Sequence, residues 1–374
     1  MVDLHSVTLR EIRLALREPF VTSTGVIRDR RILLLEVQSG DGYTAWSECA
    51  AQDTPAYAPE TVDTAWTSIR DWLIPALRSA GGSREDRLAT VLDRRVSGHG
   101  MAKASLEMAA WNLEAQRNDV PLAELLGGVR RRVPAGIAVG LQENTTRLAE
   151  RVLEAVEAGY RKVKLKIEPG SDREVVAAAR EVAGDGVELA VDANEAYGRG
   201  DMGLLRSLDG FRLSMIEQPL AREDLVGHAR LQEQLTTPIC LDESITSRGS
   251  VETMIRLGSG RIVNVKPGRV GGLAASVAIH DLCGEHGVPA WVGGMLETGI
   301  GRAYNVALAS LPHFVLPGDI SPSSRYWVRD IVHPEWTMST DGYVDVPFDR
   351  PGLGVEVDED RIDALTVRSE RLTV

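Results

Sequence analysis

A chain of 374 residues exceeds the usual single-domain size, so one large barrel with an accessory domain, or two domains, fits the length. A hydrophobic share of 43% beside 26% charged residues is ordinary for a soluble globular protein and supplies ample core material. The net charge of −12 and the lack of a dense Lys/Arg tract argue against a nucleic-acid partner, so an anionic substrate must be attracted by a local site.

Cys49, Cys240 and Cys283 are widely spaced, without CxxC or Cys/His grouping, as suits reduced structural thiols. Asp3, His5, Arg10, Glu11 and Arg13 interrupt the apolar residues at the start, and no run of 18 apolar residues follows. The expectation is a cytoplasmic protein with no membrane partner.

In chain order, Leu33–Val37 reads as a strand, Ser39-Gly40-Asp41-Gly42 as a turn, and Tyr43–Trp46 as the returning strand of a hairpin. Helical periodicity follows over 60–78, 84–96 and 102–117, the last placing Leu106, Ala109, Ala110 and Leu113 on one face. From about Val133 the rhythm changes. Short apolar strands at 163–167, 189–191, 214–216, 239–241, 262–265 and 290–292 alternate with helices predicted over 172–184, 222–235, 247–257 and 272–286. Repeated βα units imply an α/β fold with a parallel sheet, and this many imply closure into a barrel. Beyond 320, Pro322, Pro334, Pro347 and Pro351 mark an irregular tail expected to return to the N-terminal part. The division expected is a capping domain over 1–128, completed by about 322–374, and a barrel over 129–321.

Polar residues fall at the strand ends in a regular series. Lys166, Asp192, Glu217, Asp242 and Lys266 are separated by 26, 25, 25 and 24 residues. One βα unit of a barrel takes about 25–30 residues, so one station recurs at the C-terminal end of five successive strands, the rim where catalytic groups gather in this fold.

Asp192, Glu217 and Asp242 would project toward one point from three consecutive strands. A single Asp at a strand end is commonly a turn or helix-cap residue. Three acids at matched spacing between two lysines instead repel one another unless a cation neutralises them. Oxygen-only donors select a hard divalent ion, Mg²⁺ first and Mn²⁺ as its substitute. Lys164 and Lys166 lie on the same side of their strand, where lysines need carboxylates or a substrate anion opposite them. Lys266 falls on the sixth strand, across the barrel from the second, although Pro267-Gly268 also makes a turn there. A metal on a substrate carboxylate makes removal of its α-proton feasible, one lysine acts as base, and a second on the opposite face can return the proton with inversion.

These motifs resemble the enolase superfamily and its muconate-lactonising subgroup: Lys164-Leu-Lys166, Val191-Asp-Ala-Asn194, Ile216-Glu-Gln-Pro219, Leu241-Asp-Glu-Ser244 and Asn264-Val-Lys-Pro267. Within it, Lys164–Gly170, Lys266–Gly272, Gly293–Arg302, Pro19-Phe20, Met101-Ala-Lys103 and Leu316-Pro-Gly-Asp319 are similar to the o-succinylbenzoate synthase and N-succinyl (N-acyl) amino acid racemase group. The resemblance implies a modified barrel, (β/α)7β, beneath an α+β cap. It implies Asp192, Glu217 and Asp242 as Mg²⁺ ligands, with Asn194 and Glu243 near or behind them. Lys166 would be the base, Lys266 the second acid/base or a stabilising cation, and Lys164 would assist Lys166 and help hold the carboxylate. The loop around Phe20–Gly25, with Phe20 and Ser23, would close over the substrate. Gln52, Ala138, Arg269, Gly293, Gly294, Met295, Glu297 and Tyr326 complete the substrate-binding candidates. Arg269 matches an arginine associated with the racemase branch. A small-molecule carboxylate is the implied substrate, and relatives commonly form symmetric homo-oligomers.

The chain departs from the group's pattern at Ser47 before Glu48-Cys49, at Gln52 in place of methionine, at Ala138 in place of serine, and at Tyr326-Trp327 in place of Phe-Tyr. Gln52 and Ala138 bear on substrate choice rather than on the chemistry. His5, His99, His228, His280, His286, His313 and His333 show no metal spacing, and the glycines from Gly293 to Gly301 fit a backbone approaching a substrate rather than a phosphate cradle. Dipeptide epimerisation, muconate cycloisomerisation and a catalytically silent binder remain the alternatives.

Overall fold

The computed structural model describes residues 4–22, 25–80, 88–170 and 172–374. The chain opens with strand β1 (Leu4–Thr22), antiparallel to β2 (Gly25–Ser39), which pairs with β3 (Thr44–Cys49). Ile12, Leu14 and Leu16 are buried while Arg13, Ala15 and Arg17 are exposed, the period of two of a half-buried strand. The β1–β2 ladder shifts register between Ala15 and Phe20, then resumes for three pairs, Phe20–Ile27, Val21–Val26 and Thr22–Gly25. The C-terminal strand Thr366–Thr373 pairs with β1 and completes a four-stranded sheet.

The sheet is buried on both faces, which explains the unbroken run Ile32–Leu35. Leu33 and Leu35 pack on Trp66, Ile69, Leu106 and Leu113 of the cap helices, whereas Ile32, Leu34 and Trp46 belong to the core that continues into the barrel. The first predicted helix is Val62–Ser68, a π turn Ile69–Leu73, and Ile74–Ala80; Leu88–Arg95 and Gly100–Arg117 follow. The predicted start of the second helix, at 84, lies outside the described residues.

Short β4 (Arg132–Pro134) leads into seven parallel strands in sequential order: β5 (Gly136–Val139), β6 (Lys162–Lys166), β7 (Glu188–Asp192), β8 (Ile216–Glu217), β9 (Ile239–Leu241), β10 (Ile262–Val265) and β11 (Ala290–Val292). Helices follow them at Thr145–Glu157, Asp172–Ala183, Met202–Arg206, Leu225–Gln232, Arg248–Leu257, Leu273–Glu285 and Gly299–Ala309. Local caps set their starts, as where the Asn144 side chain accepts from Arg147 N at 2.8 Å.

An extended segment over 314–319 closes the barrel. Val315 N donates to Ala290 O at 3.2 Å, and Asp319 N to Val292 O at 3.1 Å. On its other side Gly136 N donates to Gly318 O at 2.6 Å. This eighth station feeds the tail rather than a helix, giving (β/α)7β.

Two cap glutamates accept from the N-termini of barrel helices, where unpaired N–H groups and the helix dipole favour an anion. Glu107 accepts from Leu273 N at 2.8 Å and Ala274 N at 2.9 Å. Glu48 accepts from Thr298 N at 3.0 Å, Thr298 Oγ1 at 2.6 Å and Gly301 N at 3.2 Å. Among the described residues, no helix is long and apolar enough to cross a membrane.

Candidate active site

Strand β6 turns Lys162, Lys164 and Lys166 to the barrel interior by alternation. Lys166 Nζ donates to Asp192 Oδ2 at 2.7 Å and also to Asn194 Oδ1. Deeper in the barrel, Lys164 Nζ lies 2.7 Å from Glu217 Oε2, 2.7 Å from Asp319 Oδ2 and 3.2 Å from Asp192 Oδ2. From the residue after β10, Lys266 Nζ donates to Asp242 Oδ2 at 2.8 Å and to the Tyr57 hydroxyl oxygen at 3.1 Å. The sixth strand is four stations from the second in an eight-station barrel, so Lys166 and Lys266 approach from opposite walls.

Between them lies a cavity of about 100 Å³ whose walls include Lys164, Lys166, Asp192, Asn194, Glu243 and Lys266. Phe20, Gln52, Ala138, Gly294, Met295 and Tyr326 also line it. Phe20 stands in the three-pair hairpin, not in a loop, and Ser23 lies outside the described residues. Glu217, Asp242, Arg269, Gly293 and Glu297 do not reach the wall. Arg269 is spent behind Asp242: it donates to Asp242, to the Tyr57 hydroxyl at 2.8 Å, to Ile245 O at 2.6 Å and to Asn264 O at 2.5 Å. Gly293 leaves space for Lys266, since a Cβ there would lie 2.2 Å from Asn264 Oδ1 and 2.8 Å from Lys266 Cε. Glu297 accepts from Asn305 Nδ2 at 2.9 Å beneath the rim.

The electrostatics follow from burial set against close counter-charges. Burial opposes ionisation of Asp192, yet Lys166 and Lys164 outweigh it and hold the carboxyl below its usual range. Asp242 is lowered likewise, with Lys266 and Arg269 overcoming burial. Glu217 is pushed up to about 7 by burial and the nearby Asp192 charge. Glu243 rises to about 8 through burial, Asp242 and Asp192. Burial works against the Lys266 ammonium, but Asp242 more than compensates and keeps it protonated.

As placed, the acids face lysines and an arginine rather than one another: among the described residues, no cluster of three or more His, Cys, Asp or Glu is arranged to hold a metal. The donor set nevertheless fits a hard cation. Asp192 and Asp242 are both close enough to raise Glu217, and Glu243, which lines the cavity, keeps its buried Oε2 without a hydrogen-bond partner.

Tyr57, Glu195, Leu296 and Asp319 also line the cavity; Leu296 and Asp319 lie in motifs quoted from the sequence, but none of the four is among its site candidates. Arg222 fastens the Tyr57 loop: its guanidinium pairs with the Glu195 carboxylate and donates to Tyr57 O at 2.9 Å. Asn194 (φ 43°), Glu195 (φ 67°) and Leu296 (φ 59°) take left-handed backbone on the cavity rim. Such conformations in non-glycine residues concentrate at functional sites. A larger open groove of about 860 Å³ runs from Glu18–Val21 to the helix Thr145–Glu157. Its charges are largely paired with each other, as in Glu18–Arg151 at 2.6 Å and Arg147–Glu150 at 2.7 Å.

A closed α/β barrel under a cap, with two lysines and Asp192 lining one cavity and Glu217 and Asp242 paired with lysines behind it, defines an enzyme built to manage charge and protons at a small bound molecule. The chain belongs to the enolase superfamily. Residues 147–361 match the family described as enolase C-terminal domain-like, and residues 4–127 the mandelate racemase / muconate lactonizing enzyme N-terminal domain. It is 44% identical over 365 residues to the o-succinylbenzoate synthase of Geobacillus stearothermophilus, covering 98% of this chain and 96% of that one. It is 45% identical over 365 residues to the N-succinylamino acid racemase of an Amycolatopsis species, covering 98% of each. A solved enolase-superfamily member from Listeria innocua superposes with a TM-score of 0.94 at 37% identity, covering all of both chains.

Proposed function

We propose that this chain is a metal-dependent lyase or isomerase that removes the proton beside a substrate carboxylate. It acts as an o-succinylbenzoate synthase, dehydrating 2-succinyl-6-hydroxy-2,4-cyclohexadiene-1-carboxylate, as a racemase of N-succinyl or other N-acyl amino acids, or as both. The observation that carries the reading is one cavity lined from opposite walls by Lys166 and Lys266. Relatives at 44% and 45% identity carry these two names.

In this reading the barrel over about 129–321 is the catalytic unit, and 1–128 with about 322–374 its cap. Asp192, Glu217 and Asp242 hold Mg²⁺, for which Mn²⁺ can substitute, and Asn194 and Glu243 orient that set. The ion, when bound, supplies positive charge that favours the enediolate form of the substrate carboxylate. Lys166 takes the α-proton on one face. In racemisation Lys266 delivers a proton to the other face, so the stereocentre inverts; in dehydration its ammonium stays as a cation beside the developing negative charge, the ring C–O bond breaks, and the hydroxyl leaves as water with the proton that Lys166 has taken. Lys164 helps hold the carboxylate. Phe20 and the hairpin that carries it exclude water, while Gln52, Ala138, Met295 and Tyr326 shape the space for the rest of the molecule. The protein works in the cytoplasm as a homo-oligomer on a small carboxylate.

The test is α-proton exchange of an N-succinyl amino acid in deuterated water, followed by proton NMR with Mg²⁺ present. Lys166→Ala and Lys266→Ala should each lower exchange by about 10²–10⁴-fold. Excess chelator should stop it and Mg²⁺ restore it. Wild-type exchange by either variant would refute the two-lysine assignment, and a silent binder would take up ligand without any exchange.

A further inference from the structure

Lys162 is a lysine of the β6 series that the chemistry above leaves without a role. Its side chain is fully buried, and its Nζ makes no hydrogen bond. The ammonium lies 3.5 Å over the Trp291 ring, in a floor built from Ala190, Met215, Cys240 and Ile262. Burial pushes the amine below its usual range. A buried cation of this kind costs stability, so an apolar side chain of equal length would suit the floor better. The fold nevertheless makes room for it: a Cβ on Gly136 would lie 2.8 Å from Lys162 Cε.

What faces Lys162 is the other half of an unfinished pair. Asp319 Oδ1 is buried without a hydrogen-bond donor, 3.6 Å from Lys162 Nζ. The second oxygen of the same carboxylate, Oδ2, holds Lys164 Nζ at 2.7 Å. Asp319 thus lies between two ammonium groups, one above it in the proton-transfer site and one below it on the barrel floor.

We propose that Lys162 is a positioning residue whose buried charge keeps Asp319 turned into the barrel, so that Asp319 fixes the Lys164 ammonium beside Asp192 and Glu217. Without that charge, the free oxygen of Asp319 faces an apolar floor and is driven toward the cavity it already lines, taking Lys164 with it. Lys162 touches no reacting atom. The functional readout rests on the lysine-pair reading given above.

The experiment compares Lys162→Met, which keeps length and removes charge, with Lys162→Arg, whose guanidinium can stack on Trp291 and reach Asp319. Lys162→Met should unfold at the wild-type temperature or above, yet exchange the substrate α-proton about tenfold to a hundredfold more slowly, mainly in kcat. Lys162→Arg should recover most of that loss. Asp319→Asn combined with Lys162→Met should be no slower than the slower single variant, because both act through one contact. Wild-type exchange by Lys162→Met, a lowered unfolding temperature that accounts for its loss, or no recovery in Lys162→Arg would each overturn the proposal. If the wild-type protein itself shows no exchange, the functional reading fails instead. The crystal structure of Lys162→Met then decides this point: Asp319 in place with Lys164 still 2.7 Å from Glu217 would overturn it, and Asp319 and Lys164 both displaced toward the cavity would support it.

Discussion

Gly140 meets the backbone of Val21 so closely that a methyl group on its α-carbon would stand 2.6 Å from the Val21 carbonyl oxygen. The same oxygen accepts from Leu141 N at 3.0 Å, which docks the hairpin carrying Phe20 on the end of the first barrel strand. Gly140→Ala should therefore push the hairpin away from the cavity, at about 1–3 kcal/mol of overpacking. The expected outcome is a raised KM with a smaller change in kcat and faster proteolysis near residues 20–27. A variant with wild-type KM and wild-type resistance would show that the hairpin is not held there.

Glu48 joins cap to barrel from a fully buried position, and burial raises its carboxyl to about 7 despite the hydrogen bond from Thr298. In the unfolded chain it ionises near its ordinary value of 4.5. Between those two values the folded protein keeps a proton that the unfolded chain has lost, so this group's contribution to stability falls as pH rises through the window and levels off above 7. The gap corresponds to on the order of 3 kcal/mol. Urea unfolding at pH 5 and pH 7.5 should show Glu48→Gln gaining stability relative to wild type at the higher pH. An unchanged difference between the two proteins would rule this titration out.

Glu107 accepts two helix N-terminal N–H groups and the Trp111 indole N–H, the last at 2.7 Å. Glu107→Ala strands these donors in buried surroundings and should lower stability by roughly 1–3 kcal/mol. Thermal unfolding measures the loss, and an undiminished midpoint would remove Glu107 as a fastener of the two layers.

If Asp192, Glu217 and Asp242 share a divalent ion, Mg²⁺ must stabilise the folded chain by mass action, by about 2.7 kcal/mol at a hundredfold excess over Kd. Asp192→Asn, Glu217→Gln and Asp242→Asn should each abolish the Mg²⁺-dependent rise in unfolding temperature. A rise that survives all three would place the ion elsewhere.

The strand-end stations from Lys166 to Lys266 were legible because a βα unit has a nearly constant length. The same count runs on: Gly293 follows Lys266 by 27 residues and Asp319 follows Gly293 by 26, so Asp319 could have been read as the eighth station. It was missed because Pro317 and the lack of alternation hide the strand, which is held by only a few bonds to its neighbours. Strand β1 was hidden by Arg10, Arg13, Arg17 and Glu18, charges interspersed among its apolar residues, and by Glu11, a charge that is itself buried. Tyr57 gave no local signal, because its loop gains its meaning only when the cap is laid over the barrel. Arg269 is a similar case: the short helix Pro267–Val270 turns its side chain behind Asp242, and no motif encodes that direction.

The break in pairing between Ala15 and Phe20 gives the entrance its mechanics. Among the described residues, three rungs follow the break, and all of them belong to the end of the ladder that covers the cavity. Displacing this end would break those rungs and the Leu141–Val21 bond, while the rungs from Leu4 to Ala15 and the apolar layers beneath them stay whole. The doorway and the integrity of the cap thereby rest on separate bonds, so substitutions at Phe20–Thr22 and Gly25–Ile27 can retune the one without unsettling the other.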